Sequence, residues 1–264
     1  VEIIEKRLAE LTPYKNNPRK NDQAVDAVAG EEWHVVSFSG GKDSTAMLLR
    51  MLELNMRVDE IIFCDTGVEF PQMYEHLDKV EQYIGRPVTR LKAKNDYEYM
   101  LLNYEIHKRD GTIRTGYSFP DMRIRWCTSY FKRDMVKRHL SGKSYVMSVG
   151  IAADESGRAR DNEKRYPLIE WGWTEKDALN YCYSKGFDWG GLYEIFRRVS
   201  CWCCPLKSLD ELRKLRKHFP ELWAKLLQWQ ENTFRTFKPN WSVQALEERF
   251  AREEEWEKMQ MSLF

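Results

Sequence analysis

Val35-Val36-Ser37-Phe38-Ser39-Gly40-Gly41-Lys42-Asp43-Ser44-Thr45 constrains this chain more than any other stretch, because it places a strand, a tight loop and a helix start in direct succession. Trp33 to Phe38 suits a buried strand, and Ala46-Met47-Leu48-Leu49-Arg50-Met51-Leu52 repeats apolar residues at helical spacing. Between them, Gly40 and Gly41 allow backbone conformations closed to other residues. Backbone N–H groups at such a helix start are aimed at an anion, so the pattern predicts a phosphate-binding strand-loop-helix. It is not a Walker A loop, since Lys42 is followed by Asp43 and no glycine stands five residues before Gly41.

From Trp33 onward, strand and helix patterns alternate. This predicts an α/β fold: an open, mostly parallel twisted sheet with helices on both faces. Glu60 to Cys64 reads as the second strand and runs into Asp65-Thr66-Gly67, with a helix over Tyr74–Ile84. Val88–Leu91 and Ser144–Ile151 are further strands, and Trp126–Leu140 is helical. Ligand loops of open α/β sheets collect at the carboxyl ends of strands, which makes the Ser39 loop and Asp65-Thr66-Gly67 neighbours. Residues 104–124, with Gly111, Gly116 and Pro120, read as a mobile loop near the site. Thr174 is an expected N-cap, with Asp177 three residues on. Beyond Cys204 the chain reads as all helical, over Leu206–Leu227, Trp229–Phe237 and Ser242–Met259. The expected division is an appendage at 1–30, an α/β domain at 31–205 and a helical C-terminal extension at 206–264.

Apolar residues make up 42% of the chain and include ten tryptophans, which excludes a disordered protein. No uninterrupted apolar run is long enough to cross a membrane, and the first residues are charged throughout, so a cytoplasmic protein is expected. A formal net charge of +1 gives no global pull toward nucleic acid. Local basic clusters do exist, at Arg123 to Arg138 and at Arg158 to Arg165, and they read either as solvated faces or as polyanion contacts. Trp223, Trp229, Trp241 and Trp256 sit at intervals that suit helix packing, whereas a stacking role stays open for Trp126, Trp171, Trp173 and Trp202.

Ser39-Gly40-Gly41-Lys42-Asp43-Ser44 resembles the S-G-G-x-D-S loop of the ATP pyrophosphatase (PP-loop) superfamily, whose members cleave ATP between the α- and β-phosphates. Five further stretches together resemble the phosphoadenosine phosphosulfate reductase-like family of that superfamily. They are Phe63 to Gly67, Arg125-Trp126-Cys127-Thr128 with Lys132, Gly150 to Ser156 with Arg158, Tyr166-Pro167-Leu168, and Cys201-Trp202-Cys203-Cys204-Pro205. The resemblance implies a PP-loop fold and a nucleotide bound by Ser37, Ser39, Gly40, Gly41, Lys42, Asp43, Ser44, Asp65, Thr66, Gly67 and Gly150. Lys42, Asp43, Asp65 and Arg158 are the expected catalytic residues. Sulfonucleotide reductases of the family use a C-terminal Glu-Cys-Gly cysteine and tend to have an altered first loop. Here no cysteine follows Cys204 and the loop is intact, which favours ATP, with Mg²⁺, over a sulfonucleotide.

The expected reaction is attack of an acceptor oxygen on the α-phosphorus, pyrophosphate leaving, with its charge met by the loop N–H groups and Lys42. Cys127, Cys201 and Cys204, with Cys203 as a substitute or fourth ligand, form a second constellation. Cys201 and Cys204 have the C-x-x-C spacing that lets two thiolates reach one metal. A [4Fe–4S] cluster in sulfur transfer is the expectation, and zinc the alternative, since spacing alone does not separate them. Cys64 and Cys182 read as core residues. The acceptor stays open as a small molecule, tRNA or DNA. Alternative readings are a sulfonucleotide reductase, a nucleic-acid modification enzyme, and a nucleotide-sensing partner of a ParB-like protein. The last is motivated by Leu11 to Asp22, which is similar to the opening box of ParB-type proteins.

Overall fold

Neighbouring residues of the first two strands point into different cores. Val36, Ile61 and Phe63 join one apolar cluster, while Val35 and Ile62 join another with Leu91, Leu140 and Met147. Such strands must be covered on both faces, which a parallel sheet with crossover helices achieves. The computed structural model describes residues 32–261. Leu11 to Asp22, the ParB-like box, lies outside the described residues.

The strands are β1 (Trp33–Ser37), β2 (Glu60–Asp65), β3 (Thr89–Lys92), β4 (Glu105–His107), β5 (Ile113–Thr115), β6 (Tyr145–Val149) and β7 (Lys164–Arg165). Five of them form one parallel sheet in the order β3-β2-β1-β6-β7. The helices are α1 (Lys42–Glu53), α2 (Pro71–Ile84), α3 (Tyr97–Leu102), α4 (Trp126–Thr128), α5 (Asp134–His139), α6 (Pro167–Glu170), α7 (Glu175–Ser184), α8 (Leu192–Ile195), α9 (Leu209–His218), α10 (Pro220–Glu231) and α11 (Val243–Met261). A π-helical stretch, Ser129–Arg133, joins α4 to α5. The larger cluster takes Met47 and Leu48 of α1, Leu77 of α2 and Ala178 of α7, whereas Met135, Val136 and Leu140, in and just after α5, cover the other face. None of the described helices is long and apolar enough to cross a membrane.

Three elements and one residue differ from the sequence reading. Residues 104–124 carry an antiparallel hairpin, β4–β5, closed near Gly111 at φ +82°. Its strands are only three residues long and half exposed, so no apolar alternation marks them. The expected helix over Leu206–Leu227 is two helices, because Pro220 cannot donate to a preceding turn and instead starts α10. The expected helix over Trp229–Phe237 ends at Glu231; Gln230 then ties the following loop, its Oε1 accepting from Phe237 N–H at 2.8 Å. Trp256 is 66% exposed and so is not a packing residue. Thr174 does cap α7 in a reciprocal box with Asp177. Leu212, Trp223, Leu246 and Phe250 of the C-terminal helices belong to the same apolar cluster as Val36 and Phe38.

Candidate nucleotide loop and cysteine neighbourhood

The chain runs from β1 to β2 and β3 on one side and returns to place β6 on the other, so the direction of winding reverses between β1 and β6. Ligand sites of open sheets form at the carboxyl ends of strands at this reversal. The loop Ser39–Gly41 leaves β1 there. Gly40 takes φ +76°, which favours glycine, and a Cβ on it would also press the Met73 side chain aside at 2.5 Å from its Sδ. Gly41 corrects the sequence reading: its φ of −73° and ψ of 164° are open to any residue. Ser44 closes the loop on itself. Its Oγ accepts from Ser39 N–H at 3.2 Å, lies 3.0 Å from Ser39 Oγ and donates to the Gly41 carbonyl at 3.0 Å.

Gly150 follows β6 directly and lies against the first turn of α1. A Cβ there would lie 2.8 Å from Ser44 N and Cα and 2.9 Å from Asp43 C, all backbone atoms that cannot swing aside. Gly150→Ala is therefore expected to lower the unfolding free energy by about 1–3 kcal/mol, read from urea denaturation. A variant as stable as the parent would contradict this account of the position.

Lys42 Nζ is only 7% exposed and is held by Asp43 at 2.9 Å and Glu175 at 3.1 Å. Burial raises the Asp43 carboxyl above its usual range; Lys42 pulls it back down, while Glu175 and Glu155 push it up. Glu175 sits at the first position of α7, where its N–H donates to Asp154 Oδ1 at 3.0 Å. Arg158, expected at the phosphates, is exposed and pairs with Glu155, which also takes Arg198 at 2.8 Å. Asp65 organises its own turn: its Oδ1 accepts from Gly67 N–H at 2.9 Å and from the Tyr74 hydroxyl at 2.8 Å. The Thr66 hydroxyl donates to Glu69 at 3.0 Å and lies 3.7 Å from Cys201 Sγ.

Side chains far away in sequence hold the backbone of the loop. Trp189 Nε1 donates to the Gly40 carbonyl at 2.7 Å, the Tyr193 hydroxyl accepts from Lys42 N–H at 2.8 Å, and the Cys182 thiol donates to the Lys42 carbonyl at 3.5 Å. His76 Nε2 lies 3.0 Å from Thr45 Oγ1. Sequence reasoning missed Glu175, Trp189, Tyr193 and His76. No local motif marks them, since each meets the loop only through the fold.

The fold also gathers the cysteines. Cys127, at α4, lies within electrostatic range of Cys204, and Cys201 within that of Cys204 and Cys203. Burial raises the thiols of Cys127, Cys201 and Cys203; Cys203 is fully buried and hydrogen-bonded to Tyr97. The Cys201 thiol donates to Glu69 Oε1 at 3.4 Å. Burial works against the charge of Lys132, yet Cys201, Glu69, Cys64 and Cys127 around it hold its pKa above the usual lysine value. The donor chemistry suits a soft metal centre. Among the described residues, however, no group of three His, Cys, Asp or Glu side chains stands ready to hold a metal ion. That applies to Mg²⁺ at Asp43 as well as to a cluster at the cysteines.

A cleft of about 840 Å³ borders both regions. Its floor includes Ile62, Met147 and Val149, its wall Lys132, Arg133 and Lys137, and it reaches Ser37 and Ser39 at the loop and Glu69 and Thr128 beside the cysteines. Cys64 lines it, which corrects the expectation of a core thiol; Cys182 is buried as expected. Trp126, Trp173 and Trp202 are buried in the core cluster rather than presented for stacking.

The five-stranded parallel sheet carries the Ser39–Ser44 loop at its switch point, the arrangement expected of a PP-loop protein. The chain belongs to the phosphoadenosine phosphosulfate reductase domain family, whose model matches residues 33–207. It is 30% identical over 227 residues to an uncharacterized protein of Methanocaldococcus jannaschii, covering 77% of this chain and 42% of that protein. It thus spans less than half the length of that relative. Adenosine 5'-phosphosulfate reductase 2 of Bacillus subtilis is 24% identical over 212 residues, covering 72% of this chain and 83% of that enzyme. The crystal structure of the phosphoadenylyl-sulfate reductase of Candida auris superposes with a TM-score of 0.46 at 17% identity, covering 64% of this chain and 81% of that one.

Proposed function

We propose that this chain is an ATP-using enzyme that cleaves the α–β bond of ATP and transfers the adenylyl group to an acceptor, in a sulfur-transfer reaction. The observation that carries this is the intact loop with its buried Lys42, opening through Ser39 into a cleft that ends beside Cys64, Glu69 and Lys132. The apolar floor suits an adenine ring and the lysine-rich wall suits phosphates. An acceptor oxygen forms a bond to the α-phosphorus as the bond to the bridging oxygen breaks; the bonding pair leaves on pyrophosphate, and the acceptor proton passes to solvent. Lys42 and the loop N–H groups stabilise the charge that develops on the leaving oxygens. Asp43 is the carboxylate that would hold a magnesium ion on release from Lys42, and the ion would neutralise the same charge. Cys127, Cys201 and Cys204, with Cys203 next to them, are the thiols that would hold a [4Fe–4S] cluster, or zinc, and a cluster would supply an iron to bind sulfur. The acceptor is a small molecule, a tRNA or DNA.

The test follows pyrophosphate release from ATP with sulfate, tRNA or DNA present. Release above the no-acceptor rate with one of them is expected; background rates with all three would remove the adenylation. Anaerobic purification with iron and acid-labile sulfide analysis tests the cysteines. About four irons per chain are expected, lost in Cys201→Ser, whereas zinc without sulfide would leave the site structural. A sulfonucleotide reductase is the second reading, favoured by the family and by the enzyme of B. subtilis. It predicts sulfite release from adenosine phosphosulfate with a thiol reductant and no dependence on ATP.

A further inference from the structure

We propose that the Tyr193 hydroxyl is a phosphoryl-binding group of the loop, a donor to the pyrophosphate portion of the nucleotide; this rests on the reading of the loop as a triphosphate site. The hydroxyl oxygen accepts Lys42 N–H at 2.8 Å, at the first residue of α1, and stands 3.4 Å from where a Cβ on Gly41 would be. It therefore occupies the mouth of the helix start, where backbone N–H groups present positive charge. Having accepted that N–H, the phenol keeps its own proton, and among the described residues this proton has no acceptor. The group does not ionise: burial, above all, and then nearby Asp43, Cys182 and Glu175 hold its pKa far above the usual tyrosine value. A neutral, committed oxygen with an uncommitted proton converts a backbone donor into one that reaches further from the loop.

The placement is rigid before any ligand arrives. Tyr193 packs edge-on against Trp189, with ring centroids 4.8 Å apart, and Trp189 is tied to the Gly40 carbonyl at 2.7 Å. Trp189, Gly190 and Gly191 all take positive φ, at 53°, 59° and 80°. A buried tryptophan in the left-handed region is a strained residue, held here by its indole bond to the loop. That turn aims α8 so that Tyr193 faces Lys42. A donor fixed in advance costs no reorganisation when charge develops on the leaving phosphates.

Inorganic pyrophosphate is the probe, because it reads the loop without adenosine. Calorimetric titration of the full chain should show pyrophosphate affinity falling roughly tenfold in Tyr193→Phe, the loss expected for one hydrogen bond to a charged oxygen. The melting temperature and near-ultraviolet dichroism check that the variant is folded. Should it fail to fold, Trp189→Phe, which keeps the hydroxyl but frees its support, is expected to weaken pyrophosphate about threefold. Unchanged affinity in the variants overturns the proposal. Tighter binding does so too, since it would mean that the hydroxyl competes with phosphate for Lys42 N–H; so does a parent protein that binds no pyrophosphate. The reading of the enzyme fails separately: a tenfold loss of pyrophosphate affinity with no pyrophosphate release from ATP keeps Tyr193 and removes adenylation, and acceptor-dependent release with no Tyr193 effect does the reverse.

Discussion

Lys42→Ala is expected to lower acceptor-dependent pyrophosphate release from ATP by about 10²- to 10³-fold, the range found when one preorganised donor to a developing charge is removed. Lys42 also has a structural partnership. Its ammonium lies between Asp43 and Glu175, and all three side chains are at most 20% exposed. Removing one partner of a buried ion pair leaves the other charge uncompensated and costs roughly 3 kcal/mol or more. Lys42→Ala alone should therefore lose stability as well as turnover. Adding Asp43→Asn removes one of the stranded carboxylates, so Lys42→Ala with Asp43→Asn should recover part of the stability, measured by urea denaturation. Turnover should stay at the level of the single variant or fall further. Recovery of turnover together with stability would mean that Lys42 serves only to neutralise its neighbours.

The second large effect is a loss of stability in mild acid that traces to one histidine. His76 is 1% exposed, stacked on Trp189 at 4.4 Å, edge-on to Phe187 at 5.4 Å and within bonding distance of Thr45 Oγ1 at 3.0 Å. Burial, chiefly, with the charge of Lys79, drives its pKa down to about 3, against a smaller opposing pull from Asp188. The sign follows from proton counting. Below the usual histidine pKa the unfolded chain takes up a proton that the folded protein refuses, so stability is lost as pH falls from about 6.5 toward 3. The slope is about 1.4 kcal/mol per pH unit, or roughly 2 kcal/mol between pH 6.5 and pH 5. His76→Gln keeps a polar group for Thr45 but cannot titrate. Its urea midpoint should change less between pH 7.5 and pH 5 than that of the parent, whatever the packing cost at neutral pH. Parallel pH profiles for the two proteins would assign the acid sensitivity elsewhere. Because Thr45 also donates to the Gly40 carbonyl, at 3.4 Å, protonation of His76 should loosen the phosphate loop before the rest of the fold.

Much of this was legible in the linear chain because the signals were local. Ser39 to Ser44 carries its loop within six consecutive residues, so glycine freedom at Gly40 and the closing hydroxyl of Ser44 act between near neighbours. The three central strands, β1, β2 and β6, are apolar enough to be seen without partners, and Thr174 with Asp177 announces the start of α7. What failed were elements stabilised by context. β4 and β5 are three residues each and form only as a pair, and the break at Phe219–Pro220 depends on one missing N–H inside a strongly helical pattern. Arg158 follows a recognisable box, and the fold adds that its guanidinium pairs with Glu155, three residues before it.

By itself, then, the sequence determined the α/β class, the Ser39–Ser44 loop and the residue types of a cysteine neighbourhood, since each depends on periodicity or on spacing within a few residues. Only the tertiary structure decided which groups complete them. Glu175 reaches Lys42 across 133 residues, Tyr193 reaches the same residue across 151, and Cys201 meets Glu69 across 132. The physical reason is that parallel strands need long crossovers. The order β3-β2-β1-β6-β7 carries the ends of distant segments to one edge of the sheet, where charges and hydrogen bonds form between residues that no local pattern relates.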